Sequence, residues 1–176
     1  MSKKWLNSNE VLSRYKDGNY IGVDLGLQPV DPSKIVGLSM DYEIVINDEK
    51  MKILKASVKR NGWNDPAPMT LGLIQTPSGE YVVDPAGNHR AVLANELKLS
   101  QIYAKVYRIY PISTFPRSVL NSVEELQKEK LNIMTYLEKN FDQESDESFE
   151  MVIRLDDIGF EIEEILYNYL KDNNLL

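Results

Sequence analysis

The residues best suited to chemistry lie in one short stretch near the middle of the 176-residue chain. Residues 87–90, Gly-Asn-His-Arg, follow a β-branched run and a Pro/Gly turn, and they open a segment with helix-forming residues. The first turn of a helix has unpaired backbone N–H groups and the positive end of the helix dipole, so it attracts anions. Arg90 adds a planar fork of donors that matches phosphate or carboxylate oxygens. The stretch therefore predicts an anion site. The alternative is a structural turn in which Arg90 caps a carbonyl or pairs with a surface acid.

Two side chains in this stretch are candidates for catalysis. His89 is the only histidine in the chain, and the helix dipole disfavours its charged form, so we expect a neutral hydrogen-bond donor. Asp84 lies just before the turn and is a candidate metal ligand or general base, with an Asx-type turn as its structural alternative. The chain has no cysteine, which excludes disulfides and cysteine-ligated zinc. The metal that suits the remaining ligands is Mg²⁺, held by a carboxylate and the phosphates of a ligand.

Two residues ahead of the turn are candidates for ligand contact. Trp63 offers a ring on which a base could stack, and core packing under the preceding helix is the alternative. Arg60 lies near the end of that helix and could reach a phosphate, although cations at this position also interact with the helix dipole alone.

The elements that position these residues follow from hydrophobic spacing. Met51, Leu54 and Val58 repeat with helical period behind the cap residues 47–49, and Gly62 ends the pattern, which predicts a helix over 49–61. Strands are predicted at 69–75 and 81–84, joined by the turn 76–80 as a hairpin. A helix over 88–97 and an alternating strand over 101–110 follow. The pattern predicts a small mixed sheet with helices, an α+β fold.

The first 46 residues carry weaker signals. Asn7 or Ser8 can cap a short helix that reaches Tyr15. Residues 20–30 contain two glycines and a proline, so we expect irregular structure with an edge strand near 25–30. A short extended piece is expected at 42–46.

The C-terminal third differs in charge from the rest. Residues 1–117 contain 15 lysines and arginines and 12 aspartates and glutamates, whereas residues 118–176 contain 5 and 15. Apolar residues repeat with helical period over 119–141 and 158–169, residues 142–147 form an acidic break, and residues 148–155 are compatible with either strand or helix. We expect one domain over 1–117 and an acidic helical extension over 118–176 that is either a solvated face or a surface for a second copy or a protein partner. Such acidity opposes strong DNA binding.

The composition excludes a membrane protein. No apolar run approaches the roughly 20 residues that a bilayer requires, and the N-terminal residues lack the apolar centre of a signal peptide. We expect a cytoplasmic location.

The order of motifs resembles the ParB/sulfiredoxin-like domain over about residues 25 to 110. The resemblance is carried by a helix, Asn61-Gly62-Trp63, Pro66 and Pro68, a hairpin, Gly87-Asn88-His89-Arg90, a second helix, and the strand Ile102-Tyr103-Ala104-Lys105-Val106. The family includes partition proteins that bind and hydrolyse CTP, sulfiredoxins, ADP-dependent serine kinases and proteins labelled ParB-like nucleases. The resemblance implies a nucleotide pocket whose phosphates lie at the Gly-x-His-Arg turn.

Three departures narrow what the resemblance implies. Sulfiredoxins require a cysteine where this chain has Asn88, which excludes that activity. Partition proteins continue into a basic helix-turn-helix, where this chain is acidic. In the kinase-like branch the acidic residue directly precedes the signature glycine, whereas Pro85 and Ala86 separate Asp84 from Gly87.

The leading hypothesis is a domain that binds CTP, ATP or ADP, with Mg²⁺ optional, and that hydrolyses or transfers a phosphoryl group. The expected ligand contacts come from Gly87, Asn88, His89, Arg90, Trp63 and Arg60, with Asp84 and His89 as catalytic candidates and Asp84 as the metal ligand. The alternatives are a ParB-like nuclease or DNA-processing protein and a non-enzymatic regulatory module. An Arg90 turned inward into a salt link, with no concavity over the turn, would contradict the leading hypothesis.

Overall fold

A computed structural model describes residues 3–142 and 145–176. The chain divides into two compact units, Met1–Ile112 and Ser113–Leu176.

The first unit is built on a mixed sheet. Six strands are seen in the described part of the chain: β1 (Leu6–Asn7), β2 (Tyr20–Val30), β3 (Ile35–Leu38), β4 (Gly72–Gln75), β5 (Tyr81–Val83) and β6 (Ile102–Pro111). Their spatial order is β1-β3-β5-β4-β6-β2. The β4–β5 hairpin and the β2–β6 pair are antiparallel, whereas β1–β3, β3–β5 and β4–β6 are parallel. The predicted hairpin and the α+β class are confirmed, but the first strand of the hairpin begins at Gly72 rather than at residue 69, because Pro68–Thr70 form a 3₁₀ turn.

Helices cover one face of this sheet. They are α2 (Tyr42–Asn47), α3 (Glu49–Asn61) and α4 (Asn88–Glu96), and a further short helix, α1 (Ser8–Leu12), follows β1. The core lies between α2, α3, α4 and the sheet, where Val45, Met51 and Val92 pack against inward-facing strand residues such as Leu73 and Val106. Burial of these side chains provides most of the driving force for folding. The helix predicted over 49–61 is confirmed with the same bounds.

Two predictions for the N-terminal part are wrong. Residues 42–46 belong to α2, whose start is capped by Asp41 through a 2.8 Å hydrogen bond from the Glu43 N–H. Residues 20–24, expected to be irregular, belong to the long strand β2, which accommodates a bulge between Asp24 and Leu27. The prediction of an edge strand near 25–30 is confirmed, since β2 is the outermost strand beside β6.

The second unit is a helical hairpin of α5 (Arg117–Asn140) and α6 (Asp146–Asp172). Arg154 of α6 donates to both carboxylate oxygens of Glu129 on α5, at 2.7 and 3.0 Å, and also bonds Glu161. The helical stripe over 119–141 is one unbroken helix, and residues 148–155 are helical. The predicted acidic break includes residues 143 and 144, which lie outside the described residues.

Among residues 3–142 and 145–176, no helix combines the length and apolar character that crossing a membrane would require.

Candidate functional site

The backbone at the start of α4 has the geometry that anion binding needs. Gly87 caps the helix with φ at +113°, where an L side chain is strained, and a Cβ added there would overlap the Leu71 side chain. The first intrahelical bond runs from the Ala91 N–H to the Gly87 carbonyl at 3.0 Å. The amides of residues 88–90 therefore precede the helical hydrogen-bond ladder and have no acceptor within the helix.

The side chain of Asn88 has a structural role. It is buried, its Oδ1 accepts from the Ser39 N–H at 2.9 Å, and its Nδ2 donates to Ser39 Oγ at 2.9 Å. These bonds fix the start of α4 to the residue that follows β3. The Asn88 side chain is therefore committed to Ser39 and is not free to contact a ligand.

His89 is held by an acid that the sequence did not single out as a site residue. Its Nε2 lies 2.9 Å from Oδ2 of Asp48, and only 17% of the His89 side chain is exposed. Asp48 caps α3 by accepting from the Lys50 N–H at 3.0 Å. This bond lowers the pKa of Asp48, and the bond from His89 lowers it further. A neutral imidazole that donates through Nε2 keeps Nδ1 as an acceptor.

A concavity opens beside His89. Its volume is about 400 Å³, and it is lined by His89 and one face of α3: Lys50, Ile53, Leu54 and Ser57. An ammonium group, a hydroxyl and an imidazole thus border one space at the positive end of α4, with two aliphatic side chains between them. This combination suits a ligand that has both phosphate oxygens and an apolar part.

Sequence reasoning missed Lys50 and Ser57 as site residues. Positions 50, 53, 54 and 57 have the i, i+3, i+4, i+7 spacing of a single helix face, which the sequence does contain. The repeat of Met51, Leu54 and Val58 identifies only the face that packs on the core. The neighbouring face could have been found from the same periodicity.

Arg90 is directed away from this concavity. Its Nη1 donates to both oxygens of Asp65, at 2.9 and 3.1 Å, and to the Ala67 carbonyl at 3.0 Å, while Nη2 donates to Thr70 Oγ1 at 2.9 Å. The structure thus has the arrangement given above as the structural alternative, with Arg90 fixing the segment that leads into β4. The leading hypothesis would have been contradicted by an inward Arg90 salt link together with the lack of a concavity. The salt link is present, but so is a concavity.

Arg60 lies in the last turn of α3, and Trp63 follows the end of that helix. Neither residue lines the concavity beside His89. The Trp63 side chain is half-buried and packs against the core, as its structural alternative predicted. Arg60 is exposed in the last turn of α3. Direct ligand contact by either residue stays a prediction.

Asp84 opens onto a different concavity from His89. A groove of about 580 Å³ is bordered by Asp84, Met69 and Ile74, together with Lys105 and Tyr107 of β6. Lys105 lies 2.8 Å from Asp24 in an ion pair. The structure therefore does not bring the two catalytic candidates to one space.

Across 3–142 and 145–176, no three side chains of His, Cys, Asp or Glu converge on a point where they could hold an ion. A single exposed carboxylate such as Asp84 fits a Mg²⁺ ion that keeps several waters and is held mainly by phosphate oxygens.

Comparison of the chain with models of protein families, with curated proteins and with solved structures gives no significant match.

Proposed function

We propose that the chain binds a nucleotide di- or triphosphate at the start of α4. The observation that carries the proposal is the grouping of Lys50, Ser57 and His89 around a concavity of about 400 Å³ at the positive end of that helix. Its volume falls in the usual range for small-molecule sites. The resemblance of residues 25–110 to the ParB/sulfiredoxin-like domain supports the same location.

Each group has a role that its chemistry suits. The Lys50 ammonium and the amides of residues 88–90 neutralise and bind phosphate oxygens, and Ser57 donates a further hydrogen bond. Asp48 fixes the orientation of the His89 ring through Nε2, and the Nδ1 of a neutral ring would accept a hydrogen bond from a hydroxyl or amino group of the nucleotide rather than from its phosphates. Arg90 acts as a positioning residue that fixes the segment before β4 through Asp65.

Phosphoryl transfer or hydrolysis is the reaction class that such a site would serve, since it depends on positioning and charge neutralisation more than on a covalent nucleophile. Magnesium, when bound with the nucleotide, would neutralise charge on the phosphates and would be held by phosphate oxygens and water, because the predicted ligand Asp84 borders the other groove. The proposal places the protein in the cytoplasm, where such nucleotides are abundant. Its acidic C-terminal unit would oppose binding to duplex DNA.

Titration calorimetry with CTP, ATP and ADP, each with and without Mg²⁺, tests the proposal. Lys50→Ala removes one charge-assisted contact; because Lys50 is exposed, solvent screening reduces its worth to about 1.4 kcal/mol, or roughly tenfold in Kd. Lys52→Ala is the matched control on the same helix, because Lys52 pairs with Glu49 at 2.9 Å and is largely exposed.

We expect the Lys52 variant to bind within about twofold of the parent chain, as for a surface charge that touches no ligand. The absence of heat for all three nucleotides, or equal affinity of both lysine variants, would remove the proposal. Incubation with plasmid and single-stranded DNA plus Mg²⁺ or Mn²⁺ separates nucleotide binding from the nuclease alternative.

A further inference from the structure

The outer face of α6 carries exposed apolar side chains. Phe149, Ile153 and Phe160 have exposed fractions of 67%, 45% and 70%. Their spacing of four and seven residues places them on one face of the helix. The residues that α6 buries, including Ile158 and Leu166, lie on the opposite face. A solvated helix normally has one apolar stripe facing the core, so α6 has a second stripe without a partner in the described structure.

Gly159 interrupts the interior of α6 beside this stripe. Glycine weakens a helix interior relative to alanine, and a Cβ added at Gly159 would meet no atom within 4 Å among the described residues. The position opens into a concavity of about 360 Å³ on the α5 side of the stripe, which Lys130 of α5 and Leu155, Asp156, Phe160 and Glu163 of α6 also border. The glycine therefore leaves room next to an exposed phenylalanine for a side chain from outside the hairpin.

Charge determines what fits this face. Asp156, Glu163 and Glu164 are exposed on the same side of α6 as Phe160. Of the nearby cations, Arg154 is bonded within the hairpin and Lys130 borders the concavity beside Phe160, so the acids outnumber the cations that face a partner. Residues 118–176 contain 5 lysines and arginines against 15 aspartates and glutamates. A second copy would place the same acids against each other, whereas a basic partner would complement them.

We propose that the outer face of α6, defined by Phe149, Ile153 and Phe160 and flanked by Gly159, docks an amphipathic helix of a partner protein that carries lysines or arginines beside its apolar anchors. The two phenylalanines are the anchor residues, and the surrounding acids select the charge of the partner. This inference is independent of nucleotide binding, since every residue that carries it lies on α6.

Fluorescence anisotropy with the full chain tests the proposal. The probe is a labelled amphipathic helix of leucine and lysine, about five turns long, and its control is a scrambled peptide of the same composition, which has the same charge but no apolar face. We expect the amphipathic peptide to bind at least about tenfold more tightly than the scrambled one.

Two variants of α6 locate the binding. Phe149→Ala/Phe160→Ala and, separately, Gly159→Leu should each weaken binding of the amphipathic peptide at least about fivefold, in the range of lost anchor contacts. Ile44→Ala is the matched control, because Ile44 is 58% exposed on α2, and it should leave the affinity within about twofold.

Three results would overturn the proposal. The first is equal affinity for the amphipathic and scrambled peptides. The second is unchanged affinity in either α6 variant. The third is a concentration-dependent dimer, seen by sedimentation of the full chain and lost in the double phenylalanine variant, which would make a second copy the occupant.

Discussion

Replacing Arg90 by alanine separates a structural role for this side chain from a role in holding a ligand. The substitution removes four hydrogen bonds, two of them to the carboxylate of Asp65, from a pair whose side chains are only 18% and 13% exposed. Breaking a fully buried pair costs about 3–5 kcal/mol because the remaining charge loses its partner. Residual solvent contact reduces this cost, so we expect a loss of about 2–3 kcal/mol for Arg90→Ala.

Thermal unfolding followed by circular dichroism measures this loss. For a unit of this size the melting temperature should fall by roughly 8–12 °C, whereas Arg60→Ala, an exposed control, should stay within about 0.5 kcal/mol of the parent. A double-mutant cycle with Asp65→Ala should show that the two losses are not additive. An Arg90→Ala chain with an unchanged melting temperature and no nucleotide binding would refute the structural role and return Arg90 to the ligand.

Three further predictions concern glycines and the α3 cap. Gly87→Ala should destabilise the fold by about 2–3 kcal/mol, because the added methyl group strains a backbone at φ +113° and overlaps Leu71; a normal melting temperature would contradict this. Gly159→Ala, where the added Cβ meets open space, should instead raise stability by about 0.5–1 kcal/mol, and urea unfolding would show any loss. The pKa of Asp48 is lowered, chiefly by the Lys50 N–H, so its contribution to stability is present above the unfolded-state pKa of about 3.9 and is lost as pH falls through the lower folded value. Asp48→Asn should make the free energy of unfolding depend less on pH in the acid range. An unchanged dependence would count against the hydrogen bonds that Asp48 accepts from Lys50 and His89.

The elements that the sequence predicted well have both a strong period and clear ends. Helix α3 has an apolar repeat, a cap at Asp48 and a terminating glycine at Gly62, whose N–H bonds the Val58 carbonyl at 2.9 Å. Local residue preferences and tertiary packing agree there, so its bounds follow from the sequence alone. The β4–β5 hairpin is predictable for the same reason.

The elements that the sequence mispredicted are those in which packing overrides local preference. Four of the five residues 42–46 are aromatic or β-branched and favour strands, yet the Asp41 cap and the burial of Val45 make the segment helical. The glycine at position 22 of β2 is required by a contact between strands that the sequence does not reveal. A Cβ at Gly22 would overlap the Tyr107 ring on the neighbouring strand, so a residue that is usually a strand breaker permits the pairing.

The site was predictable where it depends on local backbone and unpredictable where it depends on long-range contacts. The glycine cap and the helix that begins at residue 88 follow from neighbouring residues. The acids that hold His89 and Arg90 are 41 and 25 residues away in sequence, and nothing in the local pattern identifies Asp48 or Asp65 as their partners. For this reason Arg90 could not be assigned to a ligand or to the fold from the sequence.

Nuclear magnetic resonance during a nucleotide titration tests the central claim most directly. Because His89 is the only histidine, its ring gives a single set of imidazole signals that report on the proposed site without overlap. Addition of CTP, ATP or ADP should shift these signals, the amides of residues 88–90 and the Lys50 side chain more than any others. Largest shifts at Asp84 and Tyr107 in the other groove, or no shifts with any of the three nucleotides, would contradict the account.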